Sequence, residues 1–307
     1  MRCKIVNQKA FTALLLTLCL LTGCAAQSAA AEPRAEQTGQ MTQEAQSNTS
    51  AVADASQMTT VEDVGTEDMT PVYAAELVDG VYNISVESSS SMFKIADCEL
   101  TVGGEAMTVK LIMSSDSYGY LYLGTAEQAA NAPESAYIAP QVENGVGTFV
   151  FPLAALDQQI DCAAWSRSKE LWYDRTLVFR SDSLPLDAFQ TLTTAESLGL
   201  ADGPYACAVT LGGGSGKASV DEQAFLLVKD GAVTAQITWS SANYDYMLVD
   251  GERYDAEIGN GHSVFTLPVA AFDHPLRVIA DTTAMSQPYE IEYTLTFDSA
   301  TLQVHQW

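Results

Sequence analysis

From Tyr289 to Phe297 the chain alternates residue by residue. Tyr289, Ile291, Tyr293, Leu295 and Phe297 fall on one face of an extended strand, and Glu290, Glu292, Thr294 and Thr296 fall on the other. Short runs of the same kind cover Tyr205 to Leu211, Ala224 to Lys229, Val233 to Trp239, Tyr246 to Val249, Ser263 to Leu267 and Leu276 to Ala280. Turn signals such as Lys229-Asp230-Gly231 and Gly259-Asn260-Gly261 separate them. About seven short strands at this spacing predict an antiparallel β-sandwich of immunoglobulin type.

The pattern occurs twice. Asp79-Gly80-Val81-Tyr82 returns as Asp202-Gly203-Pro204-Tyr205, and Ser114 to Tyr120 (SSDSYGY) returns as Ser240 to Tyr246 (SSANYDY). Phe151-Pro152-Leu153-Ala154-Ala155-Leu156-Asp157 returns as Leu267-Pro268-Val269-Ala270-Ala271-Phe272-Asp273. Thr176-Leu177-Val178-Phe179 returns as Thr294-Leu295-Thr296-Phe297. The landmarks keep their order, so the chain is expected to be all-β, with two diverged copies of one fold at 77–182 and 202–300. A helical insert is expected at Thr125 to Ala132 in the first copy, and a linker at 183–201 contains the amphipathic piece Leu186 to Leu198. Because Tyr118, Tyr120, Tyr244 and Tyr246 recur in both copies, they are expected to serve structure.

Composition changes the picture at the N-terminus. Arg2, Lys4 and Lys9 precede the apolar run Phe11 to Leu21, which ends in Leu21-Thr22-Gly23-Cys24. Residues 1–23 therefore read as a secretory signal too short to span a bilayer. Leu21 to Cys24 resembles the bacterial lipobox, which implies lipidation at Cys24 and a place on the outer face of the cytoplasmic membrane. Residues 24–76 are rich in Ala, Gln, Ser, Thr and Glu and are expected to form a disordered tether.

The net charge of −25 becomes more negative still once the basic head is removed, which argues against nucleic acid as a partner. Of six cysteines, Cys98, Cys162 and Cys207 remain in the folded part without metal-type spacing. A Cys98–Cys162 disulfide and buried free thiols both stay open. His262, His274 and His305 are the only histidines and have no second ligand at metal spacing, so they are expected in loops. There is no Gly-x-Ser-x-Gly elbow, phosphate loop or His-Glu-x-x-His motif, and no enzymatic activity is expected.

In the second copy the order Asp202-Gly203-Pro204-Tyr205, Gly216 to Ser219, Ala224 to Gly231 and finally Tyr289-x-x-x-Tyr293 resembles the NEAT domain of Gram-positive surface proteins. That resemblance implies a sandwich that captures haem, or another iron complex, and passes it between a haem-donor protein and a membrane transporter. It implies Tyr289 as axial ligand of the haem iron and Tyr293 as its hydrogen-bond partner. The stretch Ser215 to Glu222, with Ser219, corresponds to the lip over the porphyrin. Met247 and Met285 are candidates to cap the ring, although core packing is the ordinary use of methionine. Lys217, Arg253 and Arg277 are the cations within this copy for the propionates. In the first copy Leu171 and Arg175 stand where the two tyrosines would be, so no ligand pair survives there. The rival expectation is an immunoglobulin-like adhesion module, binding protein or glycan, whose tyrosines pack a core.

Overall fold

The computed structural model describes residues 51–58, 64–66, 69–285 and 287–305. The signal, Cys24 and the first half of the tether lie outside the described residues. The first half of the fold contains β1 (Gly80–Asn83), β2 (Val86–Ser88), β3 (Ile95–Gly103), β4 (Ala106–Met113), β5 (Tyr118–Leu123), α1 (Ala126–Asn131), β6 (Gln141–Glu143), β7 (Val146–Leu153), β8 (Ile160–Ser166) and β9 (Leu171–Phe179). The second contains β10 (Gly203–Gly213), β11 (Gln223–Lys229), β12 (Ala232–Thr238), β13 (Tyr244–Val249), β14 (Glu252–Asp255), β15 (Glu257–Gly259), β16 (His262–Pro268), β17 (Leu276–Thr282), β18 (Tyr289–Phe297) and β19 (Gln303–Val304).

The chain is all-β in character, and all its named sheet pairings are antiparallel. In the first half one sheet runs β1-β3-β4-β7-β6 and the other β2-β9-β8-β5. The second half repeats this order, adds β14 beside β13 and β19 beside β10, and has β10 in the places of both β1 and β2. Its beginning pairs with β11 from Gly203 to Ala208, and its end pairs with β18 from Val209 to Gly213. One strand thus crosses between the layers and joins them into β14-β13-β17-β18-β10-β11-β12-β16-β15. Each half buries its own alternating apolar set, with Leu100, Leu111, Phe149 and Phe179 in one core and Trp239, Phe265, Leu295 and Phe297 in the other.

Why the repeated motifs repeat is visible in their bonds. Asp157 and Asp273 both take a left-handed backbone (φ 54° and 58°). Each donates its N–H to the carbonyl that ends the last strand, Phe179 at 2.8 Å and Phe297 at 2.9 Å. Each carboxylate then accepts the N–H and the hydroxyl of a serine, Ser181 or Ser299, capping the turn that follows. Asp79 accepts from Gly104 N–H and Asp202 from Asp230 N–H, while Tyr82 and Tyr205 donate to the carbonyls of Val78 and Ala201. The hairpin turns Asn144-Gly145, Asp230-Gly231, Asp250-Gly251 and Asn260-Gly261 have positive φ at both residues, the geometry that matches strand twist.

The expected helix is present as α1, with Thr125 and Gln128 forming a reciprocal capping box. The amphipathic linker is not a helix. Leu186–Ala188 makes a 3-10 turn, Phe189 bridges to Leu77 and Thr193 to Phe272 as extended chain, and the chain turns again at 195–199, where Leu198 N–H donates to the Thr194 carbonyl at 3.0 Å. The tether also differs from expectation near its end. Val52 lies parallel to β9 at Trp172, Ala53 N–H donates to the Trp172 carbonyl at 2.9 Å, and Ala53 and Val64 are buried. A composition too polar to fold alone is ordered here by an aromatic surface that the tether does not itself supply. Cys98, Cys162 and Cys207 are free and buried, and burial pushes all three thiols up to about 12.

Candidate functional site

β18 carries its apolar face from solvent into the core. Tyr289 is 59% exposed, Ile291 is half-buried and Tyr293 is 4% exposed. The cause is length: β10 pairs with β18 only from Tyr293 onward, so residues 289–292 project beyond it and pair with β17 alone, Tyr289 opposite Thr282. Met285 sits on the hairpin tip and is 61% exposed. The tip is pinned on one side, where Thr283 N–H donates to the Asn243 carbonyl at 2.7 Å. The Tyr289 hydroxyl has no hydrogen-bond partner among the described residues.

Tyr293 belongs to a different environment. Its hydroxyl shares a 3.2 Å hydrogen bond with that of Tyr244, and its ring meets Trp239 edge to face at 5.1 Å. Trp239 in turn stacks on Tyr244 at 4.0 Å. Burial, and then the Tyr244 hydroxyl, push the Tyr293 phenol well above the ordinary tyrosine range. The Gly-rich turn after β10 lies on this ring. A Cβ built on Gly214 would come within 2.4 Å of Tyr293 Cε1. Gly214 is therefore required by close approach.

The structure thus separates the expected set. Tyr289 and Met285 share the exposed tip. Tyr293 lies deeper and is bonded to Tyr244. Met247 is fully buried in the core, beyond reach of any ligand at the tip, and is withdrawn from the candidates. Period-two alternation across Met247 and Val249 carried that signal. Ser219 is exposed, its carbonyl accepting from Ser240 N–H, and the lip Ser215 to Glu222 contains no helical turn. Trp239 and Gly214 were not anticipated from sequence.

Of the cations in reach, Arg277 pairs with Glu292 at 2.8 Å and Arg253 pairs with Asp255 at 2.7 Å while covering the Tyr246 ring. Lys217 is exposed and makes no ion pair among the described residues. Arg175 in the first half is buried with Nε unpartnered, its Nη1 donating to the Asp174 carbonyl. His262 and His274 are engaged locally, with the Trp239 carbonyl and the Phe189 ring. No cluster of His, Cys, Asp or Glu among the described residues is placed to hold a metal ion.

A cleft of about 1320 Å³ opens between the two halves, with Tyr293, Glu292 and Gly214 on its wall. Its walls include Glu87, Arg180 and Asp182 on one side and Arg277, Thr294 and Gly212 on the other. Arg277 Nη1 reaches across to Ser85 Oγ at 3.3 Å. Tyr289 does not line this cleft.

Behind the tip, Asp281 is 3% exposed, and burial together with Asp245 and Glu290 holds its carboxyl above the ordinary value of 3.8. The folded state therefore binds this proton more tightly than the unfolded chain does. That contribution to stability is complete below about pH 3.8 and is lost as pH rises through the folded-state value. Asp281→Asn is expected to raise the melting temperature at pH 7 by about 2–4 °C and to flatten its fall as pH rises from about 3.8 to 7. Calorimetry across that range checks this, and an unchanged pH slope contradicts it.

No family model matches this chain, and no curated protein matches it.

Proposed function

We propose that this is a lipid-anchored, non-enzymatic binding protein of two NEAT-like, immunoglobulin-type sandwiches, whose second sandwich captures haem at the β17–β18 tip. Tyr289 supplies the axial oxygen to ferric iron, a hard donor suited to that metal. The observation that carries this reading is the position of Tyr289: a phenol at the mouth of an apolar face, exposed and without a hydrogen-bond partner, four residues from a tyrosine that stays in the core. Fit to the cargo is partial. The axial donor is available and Met285 is exposed on the same hairpin, but Tyr293 is bonded to Tyr244, so its role is to hold the wall behind Tyr289. Lys217 is the cation free to meet a propionate; Arg253 and Arg277 already have carboxylate partners.

Lipidation at Cys24 would place the site outside the cytoplasmic membrane, where cargo passes from a donor to a transporter. The test is an absorbance titration of the mature chain with hemin. A saturable Soret shift is expected, lost in Tyr289→Phe and retained in Met247→Leu. No shift, or an equal shift in Tyr289→Phe, overturns the haem reading and leaves an interaction module.

A further inference from the structure

The two halves place corresponding residues in one cross-strand row on the outer face of the sheet. In the first half Tyr120 lies opposite Trp165, and Trp165 opposite Trp172. In the second half Tyr246 lies opposite Asp281, and Asp281 opposite Glu290. The matched motifs Thr176 to Phe179 and Thr294 to Phe297 put Trp172 and Glu290 at the same place in the repeat. The last strand of each half also outruns its neighbour. β2 covers β9 only from Leu177 to Phe179, and β10 covers β18 only from Tyr293 to Phe297.

In the first half that open edge is filled. Extended chain at Val52 lies parallel beside Trp172, adding an apolar residue to an aromatic row. In the second half the edge has no backbone partner among the described residues. The alternation is set by Asp298, whose N–H donates to the Ala208 carbonyl on the β10 side. By strand period, the N–H and C=O of Glu290 and Glu292 point the same way, into the open edge. Trp172, the counterpart of Glu290, uses its carbonyl on that side to hold Ala53. The row here is acidic: Asp255, Tyr246, Asp281 and Glu290, with Asp245 bulged beside it and Arg253 over the Tyr246 ring. Tyr246 donates to Glu290 Oε1 at 2.7 Å at the end of the row.

We infer that the β18 edge at Glu290 and Glu292 is a strand-addition site for an extended segment of a partner protein carrying Lys or Arg at alternate positions. Main-chain bonds to Glu290 and Glu292 hold the added strand, and its outward side chains prolong the acidic row as Val52 prolongs the aromatic one. This surface lies on the opposite face of β18 from Tyr289 and does not depend on haem binding.

The probe is a fluorescent peptide of residues 49–57 of this chain carrying Val52→Lys and Asp54→Lys, titrated by anisotropy into the mature protein. It is expected to bind at least about tenfold tighter than the same peptide with Glu at both positions, and to weaken as salt rises. Glu290→Pro removes the open-edge N–H without touching the ladder to β17, and is expected to weaken binding about tenfold or more. If that variant unfolds, the double variant Glu290→Lys, Glu292→Lys decides instead, with preference expected to pass to the Glu peptide. No binding, no preference between peptides, or binding unaffected by these variants overturns the inference. Hemin absorbance in the same samples reports separately on Tyr289.

Discussion

Trp239→Ala is expected to lower the stability of the chain by about 3–5 kcal/mol, the cost of emptying a large buried aromatic site. Trp239 is fully buried, stacks on Tyr244 and meets the edge of Tyr293. Its backbone also bridges to Val220 of the lip, and its carbonyl meets His262 Nδ1 at 2.9 Å. Removing the indole leaves a cavity beside Tyr244 and Tyr293 that the Tyr293 ring cannot move freely to close, because Gly214 already sits against it. Trp239→Phe separates packing from polarity. The indole Nε1 is buried without a partner, so phenylalanine keeps much of the ring contact and removes an unsatisfied donor. Denaturant unfolding should therefore show a deep loss for alanine and a loss of less than about half that for phenylalanine. Equal losses would mean that Nε1 has a partner that matters.

Much of this fold could be read from the chain because period-two alternation and turn chemistry act locally. The strands of the second half, the Asp-Gly and Asn-Gly hairpins and α1 with its Thr125 cap are all fixed by residues within a few positions of one another. The repeat was legible for the same reason: Asp157 and Asp273 make the same short-range cap in both halves. What escaped depended on distant surfaces. The linker was expected to use its amphipathic face, but Pro185 opens only a short turn, Leu77 and Phe272 draw Phe189 and Thr193 into bridges, and a second short turn follows at 195–199. Residues 51–53 order only because Trp172 presents a free carbonyl and an apolar row. The site was half legible. Alternation along β18 placed Tyr289 and Tyr293 on one face, but how far β10 reaches decides that one is exposed and the other buried, and that reach is not written in β18.

The divergence of the halves follows from the same geometry. Both keep the Tyr-x-Tyr bulge, at Tyr118/Tyr120 where β5 begins and at Tyr244/Tyr246 where β13 begins. The first tyrosine turns inward in each case and finds a different partner, the Met92 carbonyl for Tyr118 and the Tyr293 hydroxyl for Tyr244. Arg175 occupies the position of Tyr293 in the first half, so the inner hydroxyl pair cannot form there. The outer rows then part company, aromatic under α1 in one half and acidic beside β14 in the other. A shared backbone thus carries two separate surfaces, and only the second half combines an exposed tip tyrosine with an open final-strand edge.

Gly214→Ala carries the second large expected loss, about 2–4 kcal/mol, from two costs that act at one atom. Gly214 has φ +62°, a left-handed conformation that costs an L-residue with a Cβ about 1–2 kcal/mol. The added Cβ also falls 2.4 Å from Tyr293 Cε1 and 2.9 Å from Cζ, well inside contact distance. The ring cannot swing aside freely, since Trp239 holds its edge and Tyr244 its hydroxyl. Relief must come from moving the lip outward. Gly216→Ala is the control: its φ of +71° imposes the same backbone cost, but no atom lies within 4 Å of the added Cβ. Unfolding curves should therefore place Gly214→Ala below Gly216→Ala by at least about 1 kcal/mol. In the double variant Gly214→Ala, Tyr293→Ala the extra loss should shrink, because the ring that causes it is gone. If Gly214→Ala and Gly216→Ala are equally stable, the lip does not rest on Tyr293, and the wall assigned to that residue behind Tyr289 is not there.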